Sequence, residues 1–341
     1  MSTTLKSYAK INLGLRIGPL RGDGFHSLAT VYQTIELWDR VTVTAAPAAE
    51  TEIVIRSNHP WVPTDWRNTC WKMTTIALEA MGVQAKVEIE IEKRLPVQGG
   101  LGAGSGNAAA TLEGLAAELA KTHGINKLDM TARLGLAAQV GSDVPLFIVG
   151  GASLGSGRGE IVEPLEETPP VWCVVAVPGV GVSTSAAFRD WDALQASEIS
   201  AQRLTDNGAP SRLEELSRCV AEVWPRAGSS GVFSSFPSGR EGLAKNPLLA
   251  LVRTGIENDF ESVVFPQQPL LRDLKLALAG PSPDILEANE ADRAAYAALS
   301  GSGSALFGLY LTEQAATAAA KRAEALGAKA LLTKTLSRTS C

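Results

Sequence analysis

A single carboxylate stands in a forced turn at Gly141-Ser142-Asp143-Val144-Pro145. Glycine before it gives the backbone freedom to turn, and proline after it fixes φ. Asp143 in that position suits a general base or an anchor for a substrate hydroxyl, and it equally suits a cap on a helix or turn. Lys10 and Asn12 lie two residues apart in Lys10-Ile11-Asn12-Leu13-Gly14-Leu15. The alternation predicts a strand that projects both from one face, opposite Ile11 and Leu13. A lysine inside a short apolar strand needs a partner or a route to water. Facing Asp143, each group would hold the other's charge in place; otherwise Lys10 is an edge-strand lysine.

Glycine recurs at 99, 100, 102, 104 and 106, between Pro96 and Leu112. Backbone N–H groups at a helix start attract an anion, and glycine lets the backbone approach phosphate oxygens without a Cβ in the way. Ser105 and Asn107 stand where side chains would add bonds to phosphate or to a metal. The stretch lacks the Gly-Lys-Ser/Thr ending of a Walker loop and does not spell Gly-x-Gly-x-x-Gly. A flexible turn is the alternative; the position after a strong strand and before a strong helix favours phosphate. A second run, Ser300-Gly301-Ser302-Gly303-Ser304, leads straight into the apolar Leu306–Tyr310. That placement suits a ligand-facing loop better than a linker. Phe25-His26 follows the Asp23-Gly24 turn, where a ring and a hydrogen-bond donor fit a flat heterocycle or simply pack.

The elements that must hold these residues show in the periodicity. Val87–Glu92 alternates apolar and acidic residues strictly, which predicts a strand. Leu112, Leu115, Ala116 and Leu119 repeat at helical spacing, with Gly124 as the expected stop. Helices are also expected over about 69–81, closed by Gly82, and over about 128–140, with Asn126 as cap. Arg21–Gly24 reads as the turn closing the first strand. Trp172–Val177 reads as a buried strand opening a new unit, so the expected domains are residues 1–160 and 161–341. The stretch over about 193–245, rich in Ser, Gly, Pro and charge with short helical patterns, resists assignment. An Ala-rich helix from Glu313 to Leu326, stopped by Gly327, ends the pattern.

Composition bounds the rest. A chain of 341 residues suits two domains, and 45% hydrophobic with 20% charged residues is globular. A net charge of −5 argues against a nucleic-acid partner. No apolar run approaches the roughly 20 residues of a membrane span. Met1–Lys10 lacks the apolar core of a signal peptide, so a cytoplasmic protein without a membrane partner is expected. The four cysteines form no Cys-x-x-Cys pair and the three histidines are dispersed, which argues against a disulfide framework or zinc.

Taken together, these segments resemble the GHMP family of small-molecule kinases. The resemblance is carried by Ala9-Lys10-Ile11-Asn12-Leu13, Asp23-Gly24-Phe25-His26-Ser27-Leu28, and Lys93-Arg94-Leu95-Pro96 with Gly100-Leu101-Gly102-Ala103-Gly104-Ser105-Gly106-Asn107. Gly141–Pro145, Gly157-Arg158-Gly159-Glu160, Pro178-Gly179-Val180 through Phe188-Arg189-Asp190, and Ser300–Gly303 complete it in order. It implies an α+β, two-domain fold: an N-terminal nucleotide-binding domain, a C-terminal ferredoxin-like domain and a cleft between them. It implies ATP and Mg²⁺, with Asn68 near the adenine, the stretch from Pro96 to Asn107 along the triphosphate, and Ser105 as a metal oxygen. Asp143 would take a proton from the acceptor hydroxyl, oriented by Lys10. The branch of the family it follows acts on a cytidine-diphosphate-linked methylerythritol, as a monomer or weak dimer. There Phe25 and Phe188 would sandwich the cytosine, His26 would bond its edge, and Asn12, Ser302 and Gly303 would face the substrate. Three departures stand out: Gly106 replaces a second serine, Phe25 replaces a tyrosine, and the insert near 192–257 is longer than the family pattern and reads as an added surface subdomain. A homoserine or mevalonate kinase, or a ligand sensor on an inactive kinase scaffold, are the alternatives. The aromatic trio argues against the first and intact Lys10, Asp143 and Ser105 against the second.

Overall fold

Alternating apolar residues draw the start of the chain into a long antiparallel ribbon of β1 (Thr3–Leu20) and β2 (His26–Pro47). The computed structural model describes residues 2–97, 99–123, 128–202, 211–228, 246–281 and 293–338. Arg21 N–H bonds Phe25 O at 2.7 Å and Gly24 takes φ +82°, so the expected turn closes the ribbon. Register sets Asn12 opposite Tyr32 and Lys10 opposite Thr34. Along its other edge β2 pairs with β4 (Ala85–Glu92) and with β5 (Ala152–Ser156). β3 (Glu52–Ser57) adds parallel to β4, and β6 (Ile161–Pro164) pairs with β5. The expected break at residue 160 therefore falls inside a hairpin, and the first sheet runs on to Pro164.

Helix α1 (Thr69–Met81) is the crossover between β3 and β4. Asn68 caps it by accepting from Cys70 N–H at 2.8 Å, and Gly82 ends it in the left-handed conformation. α2 (Ala103–His123) buries Leu112, Leu115 and Leu119 in one cluster with Val41 and Val43 of β2 and Val87, Ile89 and Ile91 of β4. It starts earlier than the glycine spacing suggests, so Gly104 to Asn107 are helical and only the stretch up to Gly102 is loop. Gly106 packs closely on β1 there: a Cβ on it would lie 2.8 Å from Ser7 Oγ and 2.9 Å from Tyr8 O. α3 (Met130–Val140) is capped by Asp129; the expected Asn126 cap and Gly124 stop lie outside the described residues. α4 (Val144–Val149) follows directly on Asp143.

The second sheet contains β7 (Trp172–Val177), β8 (Tyr296–Leu299), β9 (Leu306–Tyr310) and β10 (Lys329–Lys334), in the order β10-β7-β9-β8. All its pairs are antiparallel, and the fourth-first-third-second order is that of a ferredoxin-like unit. Between β7 and β8 run α5 (Thr184–Gln202), α6 (Arg212–Val223), α7 (Pro247–Val252), α8 (Glu261–Gln267) and α9 (Pro269–Ala279). α10 (Glu313–Ala325) precedes β10 and buries Ala315, Ala316, Ala319 and Ala323. The described parts of 192–257 correct the reading of a surface appendage. Leu216 and Val220 of α6, Trp224, and Leu248, Leu249 and Leu251 of α7 are buried in one cluster with residues of β1, β2 and β7. No helix among the described residues is long and apolar enough to cross a membrane.

Candidate active site

Asp143 occupies the N-cap position of α4 but makes no capping bond, which removes the cap reading. Its carboxylate turns to the ribbon instead. Lys10 Nζ lies 3.3 Å from Asp143 Oδ2, and Tyr32 O–H donates to Asp143 Oδ1 at 3.1 Å. Lys10 Nζ also donates to Asn12 Oδ1 at 2.6 Å, so the two do share a face of β1. Asn12 Nδ2 donates to Thr30 Oγ1 at 2.8 Å, and Thr30 donates to Gly14 O at 2.7 Å. This chain of bonds fixes the lysine's reach. The Lys10 side chain is only 3% exposed, against 34% for Asp143, so the ammonium is held from within and the carboxylate opens to the cleft. Burial, then the Asp143 charge and the bond to it, push the Tyr32 hydroxyl well above its usual range. Tyr32 therefore stays a neutral donor.

The glycine loop lies across this pair. Lys10 N–H bonds Leu101 O at 3.0 Å, and Gly102 at φ +70° has no room for a Cβ, which would lie 2.7 Å from the Phe147 ring. Gly100 is tighter still: at φ +76°, a Cβ would come within 1.9 Å of Ser300 O. The two glycine-rich segments touch there, with Ser300 Oγ donating to Gly100 O at 3.0 Å and Ala305 N–H to Gly99 O at 3.1 Å. A cavity of about 360 Å³ is lined by Pro96, Gly100 to Ser105, Asn107 and, on the far wall, Asn68. Ala103, Gly104 and Ser105 of the first α2 turn line this space, and a helix leaves its first N–H groups without intrahelical partners. Gly104 is exposed, and a Cβ on it would meet nothing nearer than Thr69 Oγ1 at 3.6 Å.

Three expected nucleotide residues take other duties. Gly106 faces β1 and does not line the cavity, so the missing serine removes no ligand from it. Asn107 is 4% exposed and commits its amide N–H to Asp39 at 3.2 Å. Asn68 spends its side chain on the α1 cap and on Pro63 O at 2.6 Å, shaping the wall.

A larger cavity of about 1040 Å³ shares Gly99 and Gly100 with the first and contains Lys10, Asn12 and Asp143. Phe25, His26, Phe188, Ser302 and Gly303 all line it. The rings are not an open sandwich. His26 lies flat on Phe188, with centroids 5.0 Å apart and planes 6° apart, while the Arg158 guanidinium covers Phe25 at 4.8 Å. His26 Nε2 is 3.2 Å from Asp192 Oδ1, and Nδ1 is 3.0 Å from Gly18 O. Ser302 Oγ meets Thr184 Oγ1 at 2.7 Å.

Tyr32, Thr30, Arg158, Asp192 and Asn258 were not singled out by sequence reasoning. Asn258 is buried and donates to both Leu299 O and Gly301 O at 2.8 Å, which sets the second glycine loop against Lys10. Arg158 stood inside a quoted motif and Asp192 two residues past another, without a role assigned to either, but Tyr32 and Asn258 become visible only through strand register and long-range packing.

The profile described as "GHMP kinases N terminal domain" matches residues 68–151. A 4-diphosphocytidyl-2-C-methyl-D-erythritol kinase of Solibacter usitatus is 34% identical over 320 residues, 91% of this chain and 83% of that protein. One of Geobacillus kaustophilus is 42% identical over 192 residues, 56% of this chain and 63% of that protein. The chain thus matches less than two thirds of the length of the latter. Among solved structures, a 4-(cytidine 5'-diphospho)-2C-methyl-D-erythritol kinase superposes with TM-score 0.64 at 25% identity, over 98% of this chain and 99% of that one. A homoserine kinase of Cytophaga hutchinsonii reaches TM-score 0.66 at 17% identity over 98% of this chain and 95% of its own, a likeness of fold alone.

Proposed function

This chain belongs to the 4-diphosphocytidyl-2-C-methyl-D-erythritol kinase family, within the GHMP kinases, and we propose that it transfers the γ-phosphoryl group of ATP to the 2-hydroxyl of that cytidine diphosphate derivative. One observation carries the reading. Lys10 and Asp143 stand in the larger of two cavities that join at Gly99 and Gly100. A triphosphate laid along the smaller cavity would present its terminal phosphoryl at that junction. An alcohol in the larger cavity would reach it beside Asp143.

Asp143 would accept the hydroxyl proton as the oxygen attacks phosphorus, and Lys10 and Tyr32 hold the carboxylate in position for it. Backbone N–H groups of the first α2 turn would bind phosphate oxygens. The chemistry then depends on positioning and electrostatics more than on covalent steps. Mg²⁺ would be held chiefly by the phosphates, with Ser105 Oγ as the protein's hard oxygen, and would supply charge neutralisation there. The donor set fits such an ion. A hydroxyl stands at the anion-binding turn, and among the described residues no group of three His, Cys, Asp or Glu side chains forms an all-protein cage. Phe25, His26 and Phe188 give the larger cavity an aromatic end suited to a base, which a small polyol or amino-acid acceptor does not need. Cytosine would displace Arg158 from Phe25 or slip beside the His26–Phe188 pair.

The test is ADP release with 4-diphosphocytidyl-2-C-methyl-D-erythritol, homoserine and mevalonate as acceptors. Turnover with the cytidine derivative alone is expected. Turnover with homoserine or mevalonate instead would sink the assignment and leave only the kinase class.

A further inference from the structure

A fully buried carboxylate lies outside the machinery described so far. Asp39, on β2, is 0% exposed and accepts four hydrogen bonds. They come from Lys93 Nζ at 2.5 Å, Arg94 N–H at 2.7 Å, Leu95 N–H at 2.8 Å and Asn107 Nδ2 at 3.2 Å. Burying an ion is costly unless each lone pair finds a donor, and here all do. The identity of the donors is informative. Lys93, Arg94 and Leu95 are the last residues before Pro96 and the glycine loop, while Asn107 lies in α2 just past it. One side chain therefore ties together the entry and the exit of that loop. Two of its partners, Lys93 and Asn107, also line the smaller cavity.

The carboxylate also fixes the chemistry its partners present. It can only accept, so Asn107 must turn its NH₂ to Asp39. The Asn107 carbonyl oxygen then has no protein donor among the described residues. An ammonium has three donors, and Asp39 takes one from Lys93. The Lys93 side chain is 5% exposed at the cavity wall, so its charge is neither swept into solvent nor left alone.

We propose that Asp39 is a positioning residue for the nucleotide: it clamps both ends of the glycine loop and holds the Lys93 ammonium at the cavity where the polyphosphate binds. The proposal rests on the nucleotide reading of the smaller cavity. It assigns Asp39 no contact with substrate. Its removal should therefore loosen the nucleotide site and leave the acceptor site intact, which a general support of the fold would not do.

The experiment compares wild type, Asp39→Asn and the double variant Asp39→Asn with Lys93→Met. Calorimetric titration with Mg·ADP is combined with the KM for ATP, the KM for the cytidine acceptor and the melting temperature. The double variant leaves no buried charge unpaired, so it serves where Asp39→Asn alone fails to fold. In each folded variant the ADP Kd and the ATP KM should rise tenfold or more, with the acceptor KM within twofold of wild type. A folded variant with nucleotide affinity within twofold of wild type overturns the proposal, as does an equal rise in both KM values. Wild type that binds no Mg·ADP overturns the nucleotide reading itself. Wild type that binds Mg·ADP but phosphorylates no cytidine acceptor overturns only the substrate assignment, and the ADP titrations still decide the role of Asp39.

Discussion

Asp143 has two oxygens and two different neighbours, and the division between them can be measured. Lys10 addresses Oδ2 as a cation and Tyr32 addresses Oδ1 as a neutral donor. Asp143→Asn keeps a carbonyl oxygen to accept from either of them but no basic carboxylate. Turnover should drop by about 10²–10⁴-fold, the usual worth of a positioned base, while Mg·ADP affinity stays near wild type. Near-normal turnover in the folded variant would remove Asp143 from the reaction. Tyr32→Phe removes the hydroxyl that donates to Asp143 Oδ1 and also approaches Gly159 O at 3.3 Å, with little change in volume. A bond of about 1–1.5 kcal/mol corresponds to roughly a 5–10-fold loss in kcat, with KM for both substrates little changed. An unaltered kcat would show that Lys10 alone orients the base. In the sequence Tyr32 gives no sign of this role, because it is one apolar-run residue among several until register places it opposite Asn12.

The glycine-rich segment divides at the element level into two kinds of glycine. Gly100 and Gly102 have positive φ and no space for a Cβ, so their glycine character serves the fold. Gly104 is helical and exposed, it lines the cavity, and a Cβ there would meet nothing nearer than Thr69 Oγ1 at 3.6 Å. Gly104→Val should therefore raise the ATP KM at least tenfold with little change in melting temperature, whereas Gly100→Ala should lower the melting temperature itself. If Gly104→Val bound ATP as wild type does, the α2 start would not be where phosphate sits. The spacing of the glycines was legible, and so was the helix that follows. The point where loop becomes helix was not, because glycines are poor helix formers and give the boundary no local mark. Likewise, the Ser211–Glu214 capping box and the apolar spacing of Leu213, Leu216 and Val220 were available signals for α6. They were lost in a stretch whose composition is polar overall.

Across the whole molecule, burial of tyrosines makes stability fall at alkaline pH. Burial raises the hydroxyls of Tyr32, Tyr296 and Tyr310 well above the usual range, and these are three of the four tyrosines in the chain. In the unfolded chain each ionises near pH 10 (a typical value of about 10). Above that pH the native state holds more protons than the unfolded state, so stability declines as pH rises. Ultraviolet titration should show the phenolate signal of these three only as the protein unfolds, with the two transitions coincident. Reversible ionisation of all four in a folded protein would contradict the burial. The same long-range packing ties the ribbon to the helical segment between β7 and β8: the buried side chain of Asp259, just before α8, takes Arg16 of β1 at 2.8 Å and Arg212 of α6 at 2.7 Å.

Short windows of sequence determined the shared face of Lys10 and Asn12, the span of α1 over about 69–81 with its stop at Gly82, the alternation of β4 and the existence of both glycine segments. Each follows from side-chain period, capping chemistry or the freedom of glycine, which need only neighbours in the chain. Tertiary structure alone decided that Asp143 forgoes its helix cap for Lys10, that Tyr32 completes the pair, that Gly100 meets Ser300, and that His26 lies on Phe188. Those contacts depend on strand register and on which buried polar group finds which partner. Residues far apart in the chain compete for such pairings, and a single sequence carries no local mark of the winner.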